Sequence, residues 1–131
     1  MSIRIITALA LALGLTGAAQ AASETWLVSE ENTGGIRGAQ GTWEVNSEGA
    51  KVSGSAQMMT DKGGQLTYKI DGSVADGVYT LTLTDRTDGK KGCVWSGHLP
   101  STASSQKQGL SGYAECEGSK LIIRASAAPA H

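Results

Sequence analysis

The sequence predicts an all-β protein, a small antiparallel meander β-barrel of about seven to eight strands, with a two-sheet β-sandwich as the alternative. Three observations support this prediction. Apolar and polar residues alternate over successive short runs. Glycine is abundant, at 18 of 131 residues, which favours many tight turns. Beyond the N-terminal segment, no run carries apolar residues at helical spacing.

Residues 1–21 have the features of a signal peptide that is removed on export. One cation, Arg4, precedes an apolar run over residues 5–15, and residues 19–21 are Ala-Gln-Ala, a small-residue cleavage pattern. The apolar run is short for a bilayer span, so a retained membrane anchor is the weaker interpretation. We therefore predict a periplasmic or secreted protein with no membrane span after signal cleavage.

The remaining chain divides into a short N-terminal part and one β domain. Residues 22–41 are predicted to comprise a short strand over 24–28, which contains Trp26, and a Gly-rich loop over 30–41. Residues 42–126 form the barrel or sandwich domain, and residues 127–131 form a frayed tail. The predicted strands of the β domain are 42–46, 52–58, 66–70, 79–83, 93–99, 110–116 and 121–123.

The connections between these strands favour a meander, because nearly all of them are short. Ala75-Asp76-Gly77 is typical of a tight hairpin turn, whereas residues 100–108 are predicted to form a longer polar loop. Gly54, Gly97 and Gly112 fall at inward positions inside strands. Glycines there allow the sheet to coil tightly or leave room beneath large side chains.

Cys93 and Cys116 are the two cysteines of the chain and are predicted to form one disulfide, as an even count in an exported protein suggests. Both lie on the apolar faces of their strands, so the bond should be buried between neighbouring strands. Closing that loop would contribute roughly 3 kcal/mol through chain entropy. No C-x-x-C spacing supports a catalytic thiol.

Composition and motifs argue against several classes of function. The net charge of −1 disfavours a nucleic-acid partner. The segment Asp85–Gly89 resembles part of a calcium loop but lacks the third acidic position and the distal glutamate, so a turn explains it. The loop around Arg37 could cradle an anion, but no helix start follows it as in a phosphate-binding loop. We predict no metal and no cofactor.

A small hydrolase is the enzymatic alternative. It would use His98 with a serine and a carboxylate, or the strand-end pair Glu115 and Glu117, which period-2 spacing places about 7 Å apart. No G-x-S-x-G motif is present, and His98 falls on the polar face of its strand. A surface histidine and two solvated carboxylates are the simpler interpretation, so no catalytic residue is predicted.

The tryptophans are the large residues best suited to a binding role. Trp26, Trp43 and Trp95 form the core if they point inward, or line the barrel mouth and stack on a ligand. Trp26 is the one expected to be exposed, because it precedes the Gly-rich loop. These three residues and Arg37 are the predicted contacts for a ligand or a protein partner.

Two short motifs resemble a known class of protein. Gly41-Thr42-Trp43, which opens a strand, and Trp95-Ser96-Gly97 look like segments of small exported β-barrels of the avidin or lipocalin kind. The resemblance covers six residues. No site residue is carried over from it.

Together these features predict an exported, non-enzymatic β-barrel that binds a small ligand or a protein partner, as an inhibitor or accessory subunit would. The small hydrolase is one alternative, and a structural envelope component that assembles through strand edges is another. Lys51, Lys69 and the glycine bends argue against such open-ended strand pairing.

Overall fold

A computed structural model describes residues 22–99 and 109–127 of the chain. The predicted signal peptide (1–21), the predicted polar loop (100–108) and residues 128–131 of the predicted tail lie outside the described residues. Within the described part there is no helix of the length and apolarity that a membrane crossing requires.

Eight antiparallel strands close into one meander barrel, in which each strand pairs with its sequence neighbours and the last pairs with the first. The strands are β1 (Ala22–Asn32), β2 (Arg37–Glu48), β3 (Lys51–Thr60), β4 (Gln65–Ala75), β5 (Val78–Thr84), β6 (Cys93–Gly97), β7 (Gly109–Cys116) and β8 (Ser119–Ala127). The predicted barrel is confirmed, and the sandwich alternative is not. Because closure leaves no free sheet edge, the route to an envelope assembly through edge pairing is absent.

The turns divide between two ends of the barrel. The end that we call the upper end carries residues 33–36, 61–64, 85–92 and 117–118, and the lower end carries the β2–β3 and β4–β5 turns. In the β4–β5 hairpin, Asp76 and Gly77 both have positive φ, at 51° and 78°. This is the left-handed conformation that a two-residue hairpin requires, and it confirms the turn predicted there.

The interior follows the period-2 pattern of the sequence, since alternate residues of each strand are buried. We call Trp26, Trp43 and Trp95 the aromatic core. The Trp26 and Trp43 rings stack with centroids 6.1 Å apart, and Trp95 meets Trp43 edge-on at 5.2 Å. The Trp95 indole N–H donates to the carbonyl oxygens of Gly112 and Ile123. The large rings therefore fill the middle of the barrel, and the indole N–H of Trp95 is hydrogen-bonded there.

The Gly-rich segment is the main departure from the sequence prediction. The predicted loop over residues 30–41 is wrong, because β1 extends to Asn32, β2 begins at Arg37, and only residues 33–36 form the turn. The pairing of β1 with β2 shifts register where Glu30 opposes Ala39 and Glu31 opposes Arg37, which leaves Gly38 as an extra residue. Such a bulge bends the strand at the barrel rim. Gly38 is therefore part of a bulged strand and not of a flexible loop.

The β6–β7 seam has the least backbone pairing of the barrel, with two residue pairs and the isolated His98–Ser111 bridge. The Cys93–Cys116 disulfide joins the two strands at the upper end of this seam. A side chain at Gly112 would collide with the backbone oxygen of Ser96, so the strands approach too closely for any other residue. The predicted disulfide is confirmed and joins neighbouring strands, and Gly112 allows these strands to approach closely.

Candidate functional site

A buried polar cluster, formed by Glu30, Tyr68, Arg86 and Asp88, occupies the upper end of the barrel interior. The Arg86 guanidinium donates to both carboxylate oxygens of Glu30, at 3.1 and 3.0 Å, and to both oxygens of Asp88, at 3.0 and 2.8 Å. The Tyr68 hydroxyl donates to Glu30 at 2.6 Å and accepts from the Trp43 indole N–H at 2.9 Å. The cluster is therefore hydrogen-bonded directly to the aromatic core.

The β5–β6 loop (residues 85–92) positions Arg86. Thr87 and Thr67 exchange two hydrogen bonds, through the Thr87 N–H at 3.1 Å and the Thr87 hydroxyl oxygen at 3.0 Å. At the far side of the loop, the Lys91 carbonyl oxygen accepts from the Glu117 N–H at 2.8 Å. Tied at both points to the barrel wall, the loop crosses the upper end and directs Arg86 inward.

Burial dominates the electrostatics of the cluster, because Glu30 and Arg86 are only 4% and 6% exposed. Burial, together with the neighbouring Glu30 carboxylate, raises the pKa of Tyr68 well above its ordinary value. Burial alone would lower the pKa of Arg86, but its hydrogen bonds to Asp88 and Glu30 raise it. The guanidinium therefore stays charged, and its carbon lies 4.6 Å from the Tyr68 ring centroid.

Asp88 differs from its partners because its side chain is partly exposed, at 28%. Burial pushes the pKa of Asp88 upward, but the hydrogen bonds from Arg86 and from the Lys90 N–H lower it below its ordinary value. Asp88, which belongs to the segment that resembles part of a calcium loop, is thus the more exposed of the two carboxylates that pair with Arg86. Within the described residues, no group of three or more metal-ligating side chains converges.

A pocket of about 290 Å³, which we call the upper pocket, opens beside this cluster. Its apolar lining residues are Ile36, Ala39, Leu66 and Leu121. Its lining also includes Glu30, Arg86 and Asp88 of the buried polar cluster and two further cations, Arg37 and Lys90. Gly38, the extra residue of the β2 bulge, also lines it. The bulge therefore lies beside a cavity with both apolar and charged walls, a combination that suits a small ligand.

Of the four predicted contact residues, the structure brings only Arg37 to the upper pocket. Trp43 and Trp95 are fully buried in the aromatic core. Trp26 was expected to be exposed, and that expectation is wrong, because it is 5% exposed and packs between Trp43 and Tyr79. Since β1 extends to Asn32, Trp26 sits inside a strand at an inward position instead of at a loop border.

The residues of the hydrolase alternative do not come together with the cluster. His98 is exposed, and its ring Nδ1 lies 3.0 Å from the Leu99 carbonyl oxygen. Glu115 lies on the outer surface and pairs with Lys120 at 3.6 Å, and Glu117 is exposed in the β7–β8 turn. None of the three lines the upper pocket.

The buried polar cluster is the feature that sequence reasoning missed. A signal existed for Glu30, because it continues the inward positions of Trp26 and Val28 by one more step of two. Tyr68 also stood at an inward position. Arg86 carries no such signal, because it belongs to a loop, where the alternation of strand residues does not apply.

The comparisons with known proteins show the fold alone. No family model and no curated protein matches the chain. Among solved structures, a de novo designed fluorescence-activating β-barrel is similar at a TM-score of 0.59 and 17% identity, over 85% of this chain and 97% of the design. A redesigned β-barrel bound to DFHBI is similar at a TM-score of 0.57 and 18% identity, over 80% and 93%. The fold thus resembles that of designed ligand-binding barrels.

Proposed function

We propose that this protein is an exported, non-enzymatic β-barrel binding module that takes a small ligand in the upper pocket. The observation that carries the proposal is the pocket itself. It opens at one end of a barrel whose middle is filled by the aromatic core, and its lining includes the buried Glu30–Arg86 pair. A ligand would therefore meet a preorganised surface instead of having to order the barrel end on binding.

The likeness to designed barrels supports a binding role, since one of those structures holds a small molecule. The volume of about 290 Å³ lies at the small end of ligand pockets, so the ligand is smaller than a typical drug. A protein partner would instead contact the exposed rim. Binding of a small ligand and binding of a protein partner would therefore perturb different regions of the protein.

Chemical-shift mapping by NMR tests the proposal with a fragment library that contains neutral, anionic and cationic compounds. The expected result is a cluster of shifted amides at Ile36, Gly38, Thr60 and Lys90. A library without hits, or hits whose shifts scatter over the outer surface, would overturn the proposal.

A matched pair of glycine variants provides the control. Gly38 lines the pocket and open space surrounds the position where its Cβ would lie, so Gly38→Phe adds a ring at the pocket without a clash at the Cβ. Gly109, at the lower end, also has room for a side chain, since its nearest neighbour, the Ala125 carbonyl oxygen, lies 3.6 Å away. We expect Gly38→Phe to abolish fragment binding and Gly109→Phe to leave it unchanged.

Export rests on the signal-like residues 1–21 and is compatible with the Cys93–Cys116 disulfide, which is typical of oxidising compartments. N-terminal sequencing of the protein recovered from its host tests this part separately. We expect a mature chain that begins near Ala22. A chain that retains Met1 would overturn the export proposal and leave the binding proposal standing.

A further inference from the structure

The charges that line the upper pocket are balanced. Its ionised lining residues are four carboxylates and three cations: Glu30, Glu31, Asp61 and Asp88, with Arg37, Arg86 and Lys90. The fourth positive charge is Arg124, which lies outside the lining and pairs with Glu31 at 3.2 Å. Within the described residues, a charged ligand therefore meets no surplus of the opposite charge that would offset the loss of its hydration.

The inner charges of the pocket compensate each other at close range. Arg86 donates to both oxygens of Glu30 and to both oxygens of Asp88. The charge of Lys90 also acts on Asp88 and helps to lower the pKa of that carboxylate. Because Glu30 and Arg86 are buried, an ion that displaced either of them would leave the other without its counter-charge.

Two lining charges remain outside these pairs, and they have opposite signs. Arg37 and Asp61 are both exposed, and neither forms an ion pair within residues 22–99 and 109–127. Arg37 donates instead to the Gln40 side-chain oxygen at 2.6 Å. A ligand charge that pairs with an exposed residue gains little, because water screens both groups. These two residues therefore do not favour a ligand of either sign.

Thr60 supplies the lining with an uncharged polar group. It follows the buried Met58 by two residues in β3, so its side chain lies on the inner face of the strand. Its hydroxyl oxygen accepts from the Gly64 N–H at 3.0 Å, which restrains the side chain. The hydroxyl hydrogen has no acceptor among the described residues, so it can be donated to an oxygen of a ligand.

The apolar part of the lining borders Thr60, since the residue paired with Thr60 across β2 and β3 is the buried Ala39. Leu66 is also buried, Leu121 is half-buried, and Ile36 in the β1–β2 turn is 67% exposed. A ligand that covers Ile36 removes apolar area from water and is stabilised by that burial. The lining therefore suits a ligand with an apolar body and one hydrogen-bonding oxygen.

We infer that the ligand is an uncharged molecule with an apolar body and one hydroxyl or carbonyl oxygen, such as an aryl alcohol or ketone. This inference rests on the proposed function and specifies the ligand class of the same pocket. The Thr60 hydroxyl donates to the oxygen of the ligand, and Ile36, Leu66 and Leu121 contact its apolar body.

NMR titration at pH 7 with four matched probes tests the inference: 3-phenylpropan-1-ol, 3-phenylpropanoate, 3-phenylpropylammonium and propylbenzene. We expect each ion to bind about tenfold more weakly than the alcohol, because neither gains a counter-charge for the hydration it loses. Arg37→Gln, which removes the exposed cation of the rim, should leave this order unchanged.

Variants of Thr60 test the proposed donor. Thr60→Val removes the hydroxyl and should weaken binding of the alcohol about tenfold, because the oxygen of the ligand is then buried without a partner. The same variant should leave the affinity for propylbenzene, which carries no oxygen, unchanged. Thr60→Ser retains the hydroxyl and should bind the alcohol as the wild type does.

The outcomes separate the inference from the proposed function. If either ion binds as tightly as the alcohol, and Gly38→Phe blocks that binding, the uncharged class is overturned while the pocket remains a ligand site. If Thr60→Val weakens binding of the alcohol and of propylbenzene equally, Thr60 acts through the structure of the turn, and its role as donor is overturned. If the alcohol shifts no amides up to millimolar concentration, the inferred class is wrong, and only a fragment library without hits would remove the proposed function as well.

Discussion

The aromatic core and the Glu30–Arg86 pair at the upper end of the barrel are both buried, yet different forces stabilise them. In the core, Trp43 and Trp95 are completely buried and gain from the apolar area they remove from solvent. At the upper end, the buried side chains are a carboxylate and a guanidinium, Glu30 and Arg86. Their burial is tolerated because each satisfies the other, and no buried polar side-chain atom in the described residues lacks a hydrogen-bond partner.

This difference determines how each region responds to change. A cavity in the core costs a free energy that depends on the volume removed. Removing one member of the buried polar cluster leaves its partners buried without compensation, so the cost depends on which groups remain. The upper end can thus be altered selectively, and it is also the region where the pocket opens.

The largest loss is expected from Trp43→Ala, which removes a ring at the centre of the aromatic core and the donor to the Tyr68 hydroxyl. We expect the free energy of unfolding to fall by about 5 kcal/mol, at the upper end of the range for such substitutions. Urea unfolding followed by circular dichroism measures it. Leu27→Ala, at an exposed position, is the control and should change the free energy by less than about 0.5 kcal/mol. Equal losses in the two variants would contradict the assignment of Trp43 to the core.

The next largest effect is expected from Arg86→Met, which leaves the Glu30 carboxylate buried with the Tyr68 hydroxyl as its remaining partner in the cluster. We expect a loss of about 3 kcal/mol in the same assay. Adding Glu30→Gln should restore part of this loss, because the buried charge is then gone. A double variant whose loss equals the sum of the two single losses would show that the pair is not coupled.

These two regions also differ in how far the sequence predicts them. Alternation and turn residues predict the barrel and the hairpin at Asp76-Gly77, because both depend on local geometry. The disulfide between Cys93 and Cys116 is predictable for another reason: the chain has two cysteines. The prediction that Trp26 is exposed is wrong for one reason: the glycines that follow it predict a loop, but two of them belong to strand β2. In the structure Gly38 is part of a bulge and Gly41 lies within a strand, where its partner strand approaches closely.

The buried polar cluster could not be predicted, for a physical reason. Glu30 is 56 residues from Arg86, and their pairing arises only when the closed barrel brings the β5–β6 loop over β1. An acidic residue at an inward strand position signals that a buried charge needs a partner but does not identify that partner. Arg37 is a predicted contact because it stands in a glycine-rich context, and the structure places that context in a bulged strand.

Removal of the disulfide is expected to cause a smaller loss of stability, and it distinguishes the β6–β7 seam from the aromatic core. Cys93→Ala combined with Cys116→Ala removes the cross-link at the upper end of β6 and β7, where backbone pairing is shortest. We expect a loss of about 2 to 3 kcal/mol, set mainly by the greater freedom of the unfolded chain. Hydrogen exchange should show faster opening at Val94 and Glu115 than at Trp43. Uniform acceleration over all strands would contradict a local role for the bond.

The smallest effect concerns pH and the outer partner of Arg86. Because the folded protein lowers the pKa of Asp88 below its ordinary 3.8, the contribution of this carboxylate is complete above that pH. It is lost as the pH falls through the lower folded value, since the protonated acid no longer pairs with Arg86. Asp88→Asn should therefore be less stable than the wild type at pH 7, and the difference should shrink as the pH falls below about 4.

Thermal unfolding of both proteins between pH 7 and pH 2.5 measures this difference, with Asp71→Asn, at an exposed position on β4, as the control. Many carboxylates titrate in this range, so only the gap between variant and wild type isolates Asp88. A gap that stays constant with pH would mean that the carboxylate holds the β5–β6 loop through its shape and hydrogen bonds alone. A gap that closes would establish that the charge of Asp88, paired with Arg86, contributes to the stability of the fold.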